Sequence, residues 1–418
     1  MNNTKICGII CEYNPFHNGH MYQIEEARRL SDADYVVAVM SGDFVQRGEP
    51  AIIDKWSRTE MALRCGVDMV LELPTVFALS SAEYFATGAI DVLRKTGIVT
   101  HISFGSENFE GPDGAIALRK IAAETKNGPI VNSEMLKNGA SFAAASRNSV
   151  VSLPNDVLAT EYLRAMARLD ANMEVVPIKR VGYGHLGEGS AMFIRSLLSN
   201  GDMEGVEKYM PAAAFGVLQK EIGEGRGPVN ANAFNDIILA DLRRLGVDGL
   251  RDKPFVSEGL EYKIYTAACE SSNYEELVSR CTSKRYTSSR IRRVAFASML
   301  GIMRKTMSEP VPYIRVLGMR RNCGALMDLL SSKSEVPVVT SKAKFLRGVN
   351  TAGTALENKP QNLIVGGICV NDLCYDAKTA VDFLKIENTA ADLYSLAFTN
   401  ANSRIGASEM THPLVFVD

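Results

Sequence analysis

KICGIICEYNPFHNGHMYQ, residues 5–23, is the stretch that decides the fold of this chain. It opens with an apolar run from Lys5 to Glu12, which predicts a buried strand. Asn14 and Pro15 break that strand with a turn, and a helical pattern of apolar residues then continues to Leu30. The stretch therefore predicts a strand that passes through a short turn directly into a helix.

Two histidines, His17 and His20, stand three residues apart at this junction. A helix N-terminus carries unpaired backbone N–H groups and the positive end of the helix dipole, and both suit phosphate. Gly19 removes a side chain where a ligand must approach closely. Two imidazoles can also donate hydrogen bonds to phosphoryl oxygens as charge builds on them. The alternative is that both rings only cap the helix. The strand, turn and glycine together favour a nucleotide site with both histidines as catalytic residues.

Strands alternate with helices along the first half of the chain. Besides the first strand, apolar runs predict strands at 34–40, 67–73, 100–104 and 173–179, and helical patterns fall at 81–95, 113–125, 133–148 and 155–166. This alternation predicts an α/β fold with a doubly wound, Rossmann-like parallel sheet. Ligands of such sheets bind outside the carboxyl ends of the strands. Polar segments follow four of the five strands, at 14–20, 42–47, 105–107 and 180–185.

The character of the chain changes after Arg180. A glycine-rich loop, VGYGHLGEG, leads to a helix that begins near Ser190. Helical patterns then dominate, at 212–222, 231–245, 257–270, 273–281, 287–303, 376–386 and 388–399, with a short strand at 363–370. We therefore expect an N-terminal domain at 1–195 and a mainly α-helical region at 196–418. A further subdivision of that region near residue 350 stays open.

Composition limits the kind of protein. A chain of 418 residues is expected to form two or three domains, and its net charge of −2 gives no nucleic-acid signal by itself. There is no apolar run of membrane-spanning length, and MNNTKICGII lacks a basic region and a cleavage site, so we expect no membrane partner and a cytoplasmic location. The eight cysteines form no CxxC pair and do not cluster with the five histidines. We therefore predict no metal ligands and no structural metal.

One region is strongly basic. Between Arg280 and Arg321 the sequence has eleven Lys or Arg residues and one acid, Glu309, with Tyr286 and Tyr313 among them. Concentrated positive charge with aromatic residues is typical of nucleic-acid binding. The alternative is a solvated helix face that pairs with acids elsewhere; candidates for those acids are Glu258, Glu261 and Glu270.

Several motifs together resemble one family. EYNPFHNGH, MSGDFVQRGEPAIIDKWSRTEMAL, DMVLELP and FGSEN look like the tRNA(Met) cytidine acetate ligase family of the HxGH nucleotidyltransferase superfamily. The resemblance is strong over about the first 200 residues and weaker through EGLEYKI, SKRYTSSRIRR and YIRVLG. It implies a ligase that activates acetate with ATP as acetyl-adenylate, releasing pyrophosphate. The acetyl group would then pass to N4 of the wobble cytidine, position 34, of elongator tRNA(Met). Mg²⁺ is expected with ATP, although no ligand set is visible.

The resemblance also implies site residues. The ATP-binding segment would comprise Ile10, Cys11, Glu12, Tyr13, Asn14, Pro15, Phe16, His17, Asn18, Gly19, His20, Met21, Tyr22 and Gln23. Gly105, Asn155 and Arg180 match further nucleotide contacts of the family. Ser190 and Arg195 occupy the place of the superfamily's phosphate-holding motif, although the second hydroxyl residue expected near Met192 is missing here.

Two further sets of residues complete the expected site. Asp43 and Lys55, in the loop after the second strand, are candidates for substrate or phosphate contacts, and a structural role is the alternative. For tRNA binding we expect Arg285, Arg290, Arg292 and Arg293.

Two other functions are compatible with parts of the sequence. A small-molecule adenylyltransferase or acyl-adenylating ligase of the same superfamily would use the HxGH site without needing the basic region. A non-catalytic RNA-binding protein would need the basic region alone, and the intact His17 and His20 argue against it. The sequence leaves the acetate contacts, the tRNA nucleotides read and the oligomeric state open.

Overall fold

All five strands predicted in the first half of the chain are present. The computed structural model describes residues 4–125, 153–180, 187–353, 363–365, 368–370 and 377–418. Its strands are β1 Ile6–Cys11, β2 Tyr35–Ser41, β3 Phe44–Val45, β4 Glu49–Pro50, β5 Met69–Leu73, β6 His101–Ser106, β7 Glu174–Lys179, β8 Ile314–Arg320, β9 Val338–Val339, β10 Leu363–Val365, β11 Ile368–Val370 and β12 Val415–Val417. The predicted helix at 133–148 and loop residues 181–186 lie outside the described residues.

The five strands predicted in the first half of the chain form a doubly wound parallel arrangement, in the order β5-β2-β1-β6-β7. From β1 the chain first adds strands on one side, β2 and then β5, and afterwards adds β6 and β7 on the other. The order therefore reverses between β1 and β6. In sheets of this kind the reversal opens a crevice at the carboxyl ends of the two strands, and ligands bind there. The predicted α/β fold class is confirmed.

The helices surround this sheet and continue into the C-terminal region. They are α1 Asn18–Ser31, α2 Lys55–Arg64, α3 Thr75–Ala78, α4 Ala82–Lys95, α5 Gly111–Glu124, α6 Pro154–Arg168, α7 Ala191–Ser199, α8 Met203–Glu207, α9 Ala212–Gly223, α10 Asn235–Arg251, α11 Leu260–Glu270, α12 Tyr274–Cys281, α13 Ser288–Met299, α14 Gly324–Lys333, α15 Lys342–Gly353, α16 Ala377–Ser395 and α17 Ser408–Thr411. One helix, α16, replaces the two predicted at 376–386 and 388–399. The strand predicted at 363–370 is instead the antiparallel pair of β10 and β11.

β1 shows why the apolar runs form strands buried on both faces. Side chains alternate along a strand, and Cys7 and Ile9 belong to a different apolar cluster from Ile6 and Ile10. The cluster of Cys7 and Ile9 includes residues of α1 and α2. The cluster of Ile6 and Ile10 includes residues of α4 and α6. Helices therefore cover both faces of the sheet, as continuous apolar strands require.

The sheet also takes in strands from the C-terminal region, which the sequence did not predict. β8 pairs antiparallel with β5, the outermost of the five parallel strands on that side. β9 and β12 pair in parallel with β8. Strands on both sides of the predicted boundary at residue 195 therefore belong to the same sheet. Within the described part of the chain, no helix has both the length and the apolar character needed to cross a bilayer.

Candidate active site

A cavity of about 910 Å³ opens at the carboxyl ends of β1 and β6, where the strand order reverses. Sixteen of the predicted site residues line it: Ile10, Cys11, Glu12, Tyr13, Asn14, His17, Asn18, Gly19, His20, Tyr22, Gln23, Gly105, Asn155, Arg180, Ser190 and Arg195. Three residues of the predicted ATP segment do not line it. Pro15 and Phe16, between β1 and α1, are buried, and Met21 is exposed on α1.

His17 and His20 form a stacked pair at the start of α1. Their ring centroids lie 3.6 Å apart, with 22° between the planes. His17 Nδ1 accepts the Gly19 N–H at 3.1 Å, and His20 Nδ1 accepts the His17 N–H at 3.2 Å. The rings therefore do cap the helix, and Tyr13 supports His20 with an edge contact at 4.9 Å.

The capping bonds determine which ring nitrogens carry protons. A neutral imidazole has one donor and one acceptor nitrogen, so acceptance at Nδ1 places the proton on Nε2 in both rings. Burial, and then the charge of Arg180, lowers the pKa of His17 to about 3. Burial, His17 and Arg180 likewise lower the pKa of His20 well below its usual value. Each ring is therefore neutral near pH 7 and keeps one N–H that is not used by the cap.

The backbone N–H groups at the start of α1 are already bonded, contrary to the expectation that they are free for phosphate. Asn18 N–H donates to the Tyr209 carbonyl at 2.9 Å, and His20 N–H donates to the His17 carbonyl at 2.9 Å. Gly19 N–H donates to the His17 ring, and a Cβ on Gly19 would lie 3.0 Å from that ring's Cε1. The donors that this junction offers to a ligand are therefore mainly side chains. Tyr209 had no signal in the sequence that linked it to the site.

A second polar group lies at the ends of β6 and β7. Glu107 accepts a hydrogen bond from Asn155 Nδ2 at 2.8 Å and lies 3.8 Å from Arg180 Nη1. Asp156, which is fully buried, accepts from Ser106 Oγ at 2.5 Å and from Glu107 N at 2.9 Å. Burial and the neighbouring Asp156 raise the pKa of Glu107. The network orients Asn155 and Arg180 at the cavity wall.

Ser190 and Arg195 also lie at the cavity wall, on and before α7. Ser190 caps this helix by accepting the Phe193 N–H at 3.2 Å, and its hydroxyl proton stays available as a donor. Arg195 donates to the Asn14 carbonyl at 2.8 Å and is mostly buried, which lowers its pKa. Both residues could therefore reach a bound phosphate chain.

Asp43 and Lys55 lie outside the cavity lining and have structural partners. Asp43 accepts the Lys55 N–H at 2.8 Å. The Lys55 ammonium, only 1% exposed, pairs with Glu72 at 2.5 Å and also with Glu409 near the C-terminus. Glu409 pairs in turn with the fully buried Lys342 at 2.5 Å. The structural alternative therefore describes both residues, and their phosphate or substrate role finds no geometric support.

The four predicted tRNA-binding arginines divide into two pairs. Arg285 is exposed and pairs with Glu258 at 3.0 Å, while Arg290 donates to the Phe255 carbonyl at 2.8 Å. Arg292 forms an ion pair with Glu49, and Arg293 donates to the Gln46 carbonyl at 3.3 Å. Glu49 and Gln46 belong to the β3–β4 hairpin, which lines the cavity. The second pair thus connects α13 to the cavity wall.

Among the described residues, no side-chain cluster forms a dedicated site for Mg²⁺. Within the described ranges, no group of three or more His, Cys, Asp or Glu side chains is placed to hold a metal ion. Mg²⁺ that arrives on substrate phosphates keeps several water ligands.

Comparisons with known proteins identify the family of this chain. A family model described as HIGH Nucleotidyl Transferase matches residues 4–409. The tRNA(Met) cytidine acetate ligase of Acetivibrio thermocellus is 32% identical, over 99% of this chain and 100% of the relative. The ligase of Thermoanaerobacter sp. (strain X514) is 37% identical, over 98% of this chain and 99% of the relative. The crystal structure of Thermotoga maritima TmcAL bound with alpha-thio ATP is 32% identical, with a TM-score of 0.86, over 99% of this chain and 100% of that one. The chain belongs to the tRNA(Met) cytidine acetate ligase family, a family of ligases within the HIGH nucleotidyl transferases.

Proposed function

We propose that this protein activates acetate with ATP as acetyl-adenylate and transfers the acetyl group to N4 of the wobble cytidine, position 34, of elongator tRNA(Met), which yields N4-acetylcytidine. One observation carries the proposal. His17 and His20, stacked at the cavity wall, each use Nδ1 for the helix cap and so keep the Nε2 proton for a ligand. The names of the relatives supply the acceptor, and the structure bound with alpha-thio ATP supports ATP as the activating substrate.

In the first step an acetate oxygen attacks the α-phosphorus of ATP. A new P–O bond forms, the bond from the α-phosphorus to the bridging oxygen breaks, and pyrophosphate leaves with the electron pair. Both reactants are anionic, so the site must supply positive charge and hydrogen-bond donors. His17 and His20 would donate to the α-phosphoryl oxygens, and Arg180 and Arg195 would offset the charge of the phosphate chain.

In the second step the cytidine N4 attacks the acetyl carbonyl carbon. The N–C bond forms, the C–O bond to the adenylate breaks, and AMP leaves. The base must be splayed out of the anticodon loop to reach the cavity, as single-stranded RNA bases are when proteins read them. The arginines of α13 and the exposed Arg285 would contact the RNA backbone beside the β3–β4 hairpin.

Incorporation of radiolabelled acetate into tRNA tests the proposal. With purified protein, ATP and bulk tRNA, label should appear in the wobble cytidine of elongator tRNA(Met). Removing a donor that stabilises charge in the transition state costs about 10²–10³ in rate, so His20→Ala should lose most of the label. His412→Ala, a histidine outside the cavity lining, is the matched control.

The acetate-dependent exchange of pyrophosphate into ATP separates the two steps. Exchange without label in RNA would retain the adenylation chemistry and move the acceptor to a small molecule. Folded protein that binds ATP but gives neither signal would contradict the assignment of acetate.

A further inference from the structure

A cluster of four charged residues lies on the hairpin side of the cavity, and the chemistry given above uses only Arg195 of these four. Glu12 directly follows β1, Arg47 and Glu49 come from the β3–β4 hairpin, and Arg195 comes from α7. All four line the cavity and influence one another electrostatically. Two carboxylates and two guanidiniums therefore face the same space.

The Glu12 carboxylate is held in place from one side. Its Oε1 accepts the Gln46 N–H at 2.8 Å, and this is its only hydrogen bond with the described residues. The Glu12 backbone is held as well, since Arg58 donates to its carbonyl at 2.7 Å. Oε2 is thus a positioned acceptor in the cavity wall.

Arg47 differs from the other cations of the site. Arg195 donates to the Asn14 carbonyl, and Arg180 lies near Glu107. Within the described residues, the Arg47 side chain makes no hydrogen bond or ion pair, although its charge partly offsets the rise that burial causes in the pKa of the Glu12 carboxyl. A partly buried guanidinium with unused donors suits a planar ligand with two acceptors.

The cavity is large for a site that binds a single small molecule. Its volume of about 910 Å³ is near the upper end of the range of roughly 300–1,000 Å³ that is usual for a single small-molecule site. The hairpin that carries Arg47 is also the segment that Arg292 and Arg293 of the basic helix contact. An RNA base would therefore enter from this side.

The exposed edge of cytosine has a fixed pattern: the N4 amine donates, and N3 and O2 accept. A carboxylate beside a guanidinium presents the complementary pattern, and acceptance from cytosine N4 by Glu or Asp is a known mode of recognition. Uracil has a carbonyl oxygen where cytosine has N4, so the carboxylate would repel it.

We propose that Glu12 and Arg47 form the acceptor subsite, in which Glu12 receives the N4 amine and Arg47 the N3 and O2 acceptors of the cytosine. This inference rests on the proposed function. As N4 attacks the acetyl carbon, AMP leaves with the electron pair of the breaking C–O bond. The proton that N4 loses passes to the Glu12 carboxylate, so charge and atoms balance without a further reactant.

The surroundings of Glu12 suit a proton acceptor. Burial raises its pKa, although Gln46 N–H and the charges of Arg195, Arg47 and Arg58 oppose that rise. Tyr162 of α6 also faces this carboxyl. Only the ionised carboxylate accepts a proton, so the transfer rate should fall as pH drops through the raised pKa of Glu12.

The test compares the two half-reactions in Glu12→Gln, which retains an oxygen for the Gln46 N–H. The rates are acetate-dependent pyrophosphate exchange and single-turnover transfer from enzyme preloaded with ATP and labelled acetate to elongator tRNA(Met). Loss of a general base costs about 10²–10⁴, so transfer should fall by about 100-fold more than exchange. The acidic limb of the wild-type pH profile for transfer should also disappear. Glu83→Gln is the matched control, because Glu83 lines the same cavity but pairs with Arg168 outside this cluster.

The outcomes are distinct. If the wild type gives no label in tRNA, the proposed function fails and the subsite with it. If the wild type acetylates tRNA but Glu12→Gln transfers at the wild-type rate, or loses both half-reactions equally, the inferred subsite is wrong.

If Glu12→Gln does not fold, the variant Arg47→Met tests the subsite instead. The subsite predicts a KM for tRNA raised by about tenfold, since one lost bidentate base contact is worth about 1–3 kcal/mol. A raised KM for acetate with an unchanged KM for tRNA would instead make Arg47 an acetate ligand and overturn the inference.

Discussion

His17 should stay neutral far below its usual pKa, and this should make the protein less stable in mild acid. Burial and Arg180 lower the pKa of His17 to about 3 in the folded protein, whereas an unfolded imidazole titrates near pH 6.5. Between these values the unfolded chain binds a proton that the native state does not bind, so the free energy of unfolding falls as pH falls. The slope approaches about 1.4 kcal/mol per pH unit for one group, which amounts to roughly 1.5–2 kcal/mol between pH 6.5 and 5.0.

Urea unfolding of the wild type and His17→Asn at several pH values between 5.0 and 7.5 measures this difference. Asn is also a preferred N-cap residue, so the variant removes the titration while keeping a cap on α1. The free energy of unfolding of the wild type should fall more steeply with acid than that of the variant. NMR should show no titration of the His17 ring above pH 5. Parallel stability curves, or a ring that titrates near pH 6.5, would refute the reasoning.

Three further predictions concern charged residues of the C-terminal region. Glu409→Gln leaves two buried lysines with less compensation, so urea unfolding should show a loss of about 3–5 kcal/mol; the exposed Asp382→Asn should lose at most about 1 kcal/mol, and equal losses would contradict the buried network. Arg292→Ala and Glu49→Ala remove the same ion pair, so their effects on the KM for tRNA should be non-additive by about 0.5–3 kcal/mol; additive effects would mean that the hairpin and α13 act separately. Arg285→Ala should weaken tRNA binding and reduce the slope of log K against log salt by about one; an unchanged slope would place Arg285 away from the RNA phosphates.

The sequence predicted the centre of the fold well because the evidence for it is local. Each of the five parallel strands is an apolar run followed by a turn or polar segment, and the observed bounds differ from the predicted ones by at most two residues. Parallel strands place their carboxyl ends at one edge of the sheet. The polar segments after β1, β2, β6 and β7 consequently supply residues to one cavity, as expected.

Long-range pairing explains what the sequence did not predict. YIRVLG contains an apolar run, but only pairing with β5, almost 250 residues earlier in the chain, makes it an inner strand of the sheet. Lys55 looked like a ligand contact because its loop is polar, whereas its partner Glu409 is far away in sequence. A single sequence read locally cannot distinguish a buried, paired charge from one that faces a substrate.

The two interpretations of the HxxH motif, a helix cap and a catalytic pair, are compatible, and the first supports the second. A free imidazole exchanges its proton between two nitrogens, so either could face a ligand as a donor or as an acceptor. The cap occupies Nδ1 of His17 and of His20 with backbone N–H groups, and this leaves Nε2 as the donor in both rings. Donors that are already oriented need no reorganisation when charge develops on a phosphate. Protonation of His17 at Nδ1 would break its bond with the Gly19 N–H and release the start of α1. The low pKa of His17 therefore protects both the helix start and the geometry of the donor.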